Sequence, residues 1–232
     1  MLVHEGEERT AAIDIRLAAM LSAIAGGLNT AGFHAVGYFS ANMTGNVSAL
    51  SDYLGLGNLW LAALFGSIVV AFILGAFFSG LLIEVGRQRG IRAIYAYSIA
   101  AEGGLLVALG VADLFIAAVH SSSFVILGLS FLMGLQNAAT TRISSARVRT
   151  THVSGMATDI GLGLAALFNK GGASAEVLHR LRLHCTTILA FFLGGIAGVV
   201  AYQAVGGVML LISAALLLLI SIPEVLKARA SV

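Results

Sequence analysis

Residues 60–83 read WLAALFGSIVVAFILGAFFSGLLI, an apolar run with no charged side chain. About 20 residues of this kind in a helix cross the hydrocarbon core of a bilayer. Five further stretches have the same character, near 17–36, 93–112, 124–140, 184–202 and 205–222. Across the 232 residues, 59% are hydrophobic and 10% charged, against roughly 25% charged in a soluble domain. That leaves too little polar surface to clothe a water-soluble globule. The fold expected is an all-α integral membrane protein with six transmembrane helices.

The minor components agree. There are 28 Gly and a single Pro, Pro223, and small residues let membrane helices approach closely. Cys185 stands alone, which excludes an intramolecular disulfide and a cysteine metal site. The start carries His4, Glu5, Glu7 and Glu8, the wrong chemistry for the basic region of a cleavable signal. Residues 1–16 therefore read as a retained polar tail, and 223–232 as a second one.

Lys and Arg mark the cytoplasmic loops of membrane proteins. With the N-terminus inside, the inner segments hold Arg9 and Arg16, then Arg87, Arg89 and Arg92. After the fourth span come Arg142, Arg147, Arg149, Lys170, Arg180 and Arg182, and the C-terminal tail adds Lys227 and Arg229. These are all 13 basic residues of the chain. The outer segments carry Asp52, Asp113 and His120 instead. Both termini are thus expected in the cytoplasm.

The two halves resemble each other. Ser40-Ala41-Asn42-Met43-Thr44-Gly45 is echoed by Thr150-Thr151-His152-Val153-Ser154-Gly155. Gly27-Leu28-Asn29 precedes the first, and Gly134-Leu135-Gln136-Asn137 the second. Further on, Ala71-Phe72-Ile73-Leu74-Gly75 matches Ala190-Phe191-Phe192-Leu193-Gly194. Three anchors in one order predict two repeats, residues 17–112 and 113–222. Three spans per repeat is an odd number, so the second copy is expected upside down, an architecture of transporters. Gly75 with Ser79, and Gly194 with Gly198, form small-residue pairs suited to close helix contact, within the bundle or in a homodimer.

Each repeat also holds an apolar segment too short to span, at 45–56 and 155–168, which suits a half-helix or re-entrant segment. Thr44 and Ser154 are expected as N-caps, whose hydroxyls bond the first turn. Two half-helix starts facing each other would make a polar centre for an anion or carbonyl. The candidate solute-binding residues are Asn29, Thr30, Asn42, Thr44, Gly45, Asn46, Gln136, Asn137, Arg149, His152, Ser154 and Gly155. Amides at lipid depth also serve as plain interhelical glue, and Arg142, Arg147 and Arg149 also read as topology signals. Glu102 lies mid-span, where a charge costs about 2.5–3.5 kcal/mol on insertion scales. It is the first candidate for proton or ion coupling, and Asp159, one turn into the second half-helix, is the other.

The motifs Ser40-Ala41-Asn42-Met43-Thr44-Gly45-Asn46, Gly134-Leu135-Gln136-Asn137-Ala138 and Arg149-Thr150-Thr151-His152-Val153-Ser154-Gly155, with the six-span layout, carry a family likeness over nearly the whole chain. The chain resembles the YoaK-like family of small bacterial multi-pass membrane proteins, a domain of unknown function. The resemblance implies a bacterial inner-membrane location and small-molecule transport, with no settled substrate. Family members often carry Asp in the first span where this chain has Asn29, and Thr where it has Ser154. If that Asp couples proton movement, this chain has lost the coupling or moved it to Glu102.

The leading expectation is a small secondary transporter or facilitator of a modest organic solute, an anion being the charge best suited to the helix ends, in contact with the lipid bilayer. A channel or a structural bundle is the alternative. An intramembrane enzyme built on His152 and Ser154 is weaker, because no base-orienting acid and no oxyanion motif can be named. Basic residues scattered over inner loops give no nucleic-acid footprint. No nucleotide loop, zinc spacing or haem motif occurs, so no cofactor or metal is expected.

Overall fold

The computed structural model describes residues 1–2, 9–115, 121–169 and 172–230. His4, Glu5, Glu7, Glu8, His120 and Lys170 lie outside the described residues. The chain is all-helical, with no strand among the described residues. Its elements are α1 (Ala11–Val36), α2 (Met43–Gly55), α3 (Leu59–Gln88), α4 (Ile94–Phe115), α5 (Ser121–Ile143), α6 (Val153–Ala166), α7 (Ala175–Val205) and α8 (Val208–Ala230). Six of these, α1, α3, α4, α5, α7 and α8, are long and apolar enough to cross a membrane. At 1.5 Å per residue, the 13 residues of α2 and 14 of α6 reach only about 20 Å, short of a hydrocarbon core of about 30 Å.

The long helices outrun the apolar runs. α1 begins inside the expected tail because Thr10 caps it, its Oγ1 accepting from Ile13 N at 3.4 Å. α7 starts at Ala175, capped by Ser174, and α8 continues through Pro223. Hydropathy marks where lipid begins, whereas backbone hydrogen bonding continues until a cap or breaker stops it.

Apolar faces point outward. Only 11% of the most apolar window of α7 is buried inside the protein, and Phe77, Phe192 and Val200 are exposed. Lipid is the solvent that such faces suit.

The bundle is organised as two long helix pairs, α1 along α7 and α3 along α5, with α4 against α8. Short α2 lies on α3, and short α6 on α7. Both long pairs meet through glycine. A Cβ on Gly26 would strike the Phe191 carbonyl oxygen, and one on Gly194 would strike that of Ala23. In the other pair, a Cβ on Gly134 would strike the Phe72 carbonyl oxygen, and one on Gly75 that of Phe131. Without a hydrophobic drive between helices in lipid, such backbone approach is a main source of association. Gly194 and Gly198 are therefore spent inside the bundle, Gly198 against Gly27. Ser79 turns to α4, where its hydroxyl meets that of Ser98 at 3.1 Å.

Polar contacts gather the basic helix ends on one side. Asp14 at the base of α1 is buried between Arg9 Nε at 2.7 Å and Arg147 Nε at 3.0 Å. The N-terminal ammonium pairs with Glu224 of α8 at 2.8 Å. Arg229 of α8 donates to the Tyr97 hydroxyl of α4 at 2.8 Å, and Arg142 of α5 approaches Glu84 of α3 at 3.8 Å.

Candidate functional site

Gly37 ends α1 in the left-handed conformation, φ 80°, which a residue without Cβ adopts at no steric cost. The chain then folds back on the helix it has just left. Asn29 Oδ1 accepts from Ala41 N at 2.8 Å and from Ser40 Oγ at 3.5 Å. Asn29 lies seven residues before the end of α1, so the return is about 10 Å. The second half does the same. Asn137 Nδ2 donates to Thr151 Oγ1 at 2.8 Å, and its Oδ1 accepts from Thr150 Oγ1 at 3.4 Å. Both short helices consequently start about two turns back from the end of a long one.

The caps differ from the sequence expectation. Asn42 and His152 are the N-caps, so α2 and α6 begin two residues before the expected 45 and 155, with Thr44 and Ser154 inside the first turn. Asn42 Oδ1 accepts from Gly45 N at 3.1 Å, the bond through which an Asn cap satisfies a first-turn amide. A Cβ on Gly45 would strike the Asn42 side chain. His152 makes no such bond; its ring occupies the space over Gly155. Thr44 and Ser154, freed from capping, line a cavity.

That cavity, about 1090 Å³, lies between the two short-helix starts. Asn29 and Thr30 line it from α1, and Asn42, Thr44 and Gly45 from the first break. Asn137 lines it from α5, and Arg149, His152 and Ser154 from the second break. Three other candidates stand back from it. Asn46 is buried and donates to Phe39 O at 3.1 Å, Gln136 is buried toward α4, and Gly155 lies beneath His152.

Glu102 is also outside the cavity. It is fully buried, and its Oε1 accepts from Gln136 Nε2 at 2.9 Å. Glu102 Oε2 and Gln136 Oε1 have no hydrogen-bond partner among the described residues. Asp159 is half exposed, on the α6 side facing His184 of α7 at 3.7 Å. No group of three or more metal-ligating side chains occurs among the described residues.

The cavity has further lining residues beyond the sequence candidates. Phe72 and Phe191 line the cavity from α3 and α7. Their signal was present, since both belong to the repeated Ala-Phe-x-Leu-Gly anchor. Arg142, read as a topology signal, lines it as well, while Arg147 is taken up by Asp14 and by Ser144 O at 3.1 Å. Toward the basic side the walls continue through Ala76, Gly80 and Thr141. On the other side the Phe33 and Phe39 rings stack, centroids 4.5 Å apart and 17° from parallel.

Residues 17–222 match the model of a family described as "Protein of unknown function (DUF1275)", and the chain belongs to that family. No curated protein and no solved structure matches the chain significantly.

Proposed function

We propose that this DUF1275 member is a small secondary transporter or facilitator whose solute binds between the two broken segments. The observation that carries the reading is the pairing of the lining. Asn29 and Asn137, Asn42 and His152, Thr44 and Ser154, and Phe72 and Phe191 occupy matching places in the two halves and enter one cavity. Matching glycine crossings, Gly26 on Phe191 and Gly134 on Phe72, support an inverted repeat. Such repeats place a solute site where unwound segments meet. The likeness to YoaK-like proteins is in keeping with this, as is a bacterial inner-membrane location with the basic side in the cytoplasm.

The mechanism is alternating access. In this reading the inner opening lies on the Arg142 and Arg149 side, and the stacked Phe33 and Phe39 form the outer gate. Inverted repeats exchange roles, so the opposite state opens that stack and closes the Thr141–Arg142 side. The same reading gives His152 and Ser154 the part of solute-lining groups, not of a catalytic pair. With the glycine pairs spent inside the bundle, a homodimer would use another face.

The test is solute uptake into proteoliposomes holding the full chain, over a panel of small anions, cations and neutral solutes, by isotope and by current. Saturable uptake that Thr44→Ala with Ser154→Ala weakens supports the reading. Unsaturable conductance supports a channel, and a blank panel with correctly oriented protein supports a structural bundle.

A further inference from the structure

The paired lining is symmetric in its polar and aromatic parts but not in charge. Three residues before each cap stand Phe39 in the first half and Arg149 in the second. Phe39 is stacked on Phe33, whereas Arg149 makes no ion pair among the described residues and lines the cavity. The other lining arginine, Arg142, has Glu84 at 3.8 Å. No Asp or Glu lines the cavity among the described residues. Within them, the exposed guanidinium of Arg149 is left without a counter-charge.

The space has room for an organic molecule. A volume of about 1090 Å³ lies just above the ~300–1,000 Å³ range of organic ligand sites. Phe72 and Phe191 supply apolar faces from opposite helices. A planar guanidinium matches a carboxylate through two parallel hydrogen bonds, and the hydroxyls of Thr44 and Ser154 are available to the rest of the molecule.

Building on the transport reading, we infer that the solute is an organic monoanion, a carboxylate with a ring-sized apolar body. Its charged end sits at Arg149 and its body rests between Phe72 and Phe191. One unbalanced positive charge favours one negative charge. A dicarboxylate would set its second anion either in competition with Glu84 for Arg142 or against phenylalanines and uncharged groups, where a desolvated charge is costly. A cation would meet Arg149 and find no acid.

The experiment is ligand binding to the purified full chain, with benzoate and 2-naphthoate as probes. Benzamide, benzylamine, acetate and phthalate are the comparisons. The aromatic monoanions are expected to saturate, with the other four at least about tenfold weaker, the size of one charge-assisted pair. Arg149→Gln should erase the preference for benzoate over benzamide, and Arg149→Lys should keep part of it. Phe72→Ala with Phe191→Ala should bring benzoate down to the level of acetate. Arg149 bonds to nothing else among the described residues, so an unchanged melting temperature certifies the fold. Equal binding of benzamide and benzoate, or an intact preference in Arg149→Gln, overturns the inference. Binding without uptake keeps the ligand class and removes the transport reading. Saturable uptake of a cation or sugar without benzoate binding does the opposite.

Discussion

Asn29 Oδ1 receives the Ala41 amide at 2.8 Å, so a side chain about two turns inside α1 holds the chain that leaves the end of the same helix. This bond sets the level at which α2 begins. An Asp at position 29 would offer the same acceptor oxygen to Ala41.

Asn29→Ala should therefore lower stability and solute binding together, and Asn29→Asp should restore most of the stability. A buried amide left without its acceptor costs about 1–3 kcal/mol. Thermal unfolding in detergent reads the difference. An Ala variant as stable as the parent would remove the pinning role.

At the helix crossings, Gly194→Leu and Gly134→Leu should each disrupt the bundle, because the added side chain meets carbonyl backbone that cannot swing away. Gly104→Ala is the control, with open space where the Cβ would go. Expression and the monodisperse peak on size exclusion report the outcome. Two glycine variants that behave like the control would show that the crossings tolerate separation.

Asp14 is buried between Arg9 and Arg147 at the base of α1. Removing one partner of a buried ion pair costs about 3–5 kcal/mol, and Asp14→Ala should show a loss of this order, tempered because Arg147 is 43% exposed. Arg147→Gln should cost less than Asp14→Ala, since it leaves the Arg9 pair intact. The reverse order of melting temperatures would contradict the network as described.

Glu102→Gln offers a clean separation of fold from coupling. The new amide keeps an acceptor for Gln136 Nε2 and brings a donor for Gln136 Oε1, which has no hydrogen-bond partner among the described residues. The variant should fold at least as well as the parent. If Glu102 couples protons, uptake by the variant should no longer respond to a pH gradient while solute binding persists. An unchanged response to the gradient would assign coupling elsewhere.

Much of the architecture was legible because lipid imposes a coarse rule, and a run such as residues 60–83 satisfies it without ambiguity. The Thr/Ser-Gly motifs located the breaks for the same kind of reason, since non-helical backbone at depth needs polar and small residues. The caps were missed by two positions because Asn42 and His152 also start helices, and only the bond from Gly45 N to Asn42 decides between Asn and Thr. Gln136 and Asn137 are neighbours in sequence with similar amides, yet helical rotation turns one to Glu102 and the other to the cavity. Periodicity alone does not fix that rotation; packing against α3 and α4 does. Arg142, Arg147 and Arg149 carry the same charge within eight positions, and only tertiary contacts separate the one in an ion-pair network from the two at the cavity.

Sided cysteine labelling tests the central claim most directly. In a Cys185→Ser background, Ser154→Cys is challenged with a membrane-impermeant maleimide from each side of oriented vesicles, with and without solute. Alternating access predicts labelling from both sides in turn. It favours the basic side in the parent and shifts to the far side when Phe39→Ala loosens the Phe33–Phe39 stack. Labelling from the basic side alone, unmoved by solute or by Phe39→Ala, would contradict the account and leave a helical bundle with a one-sided cavity.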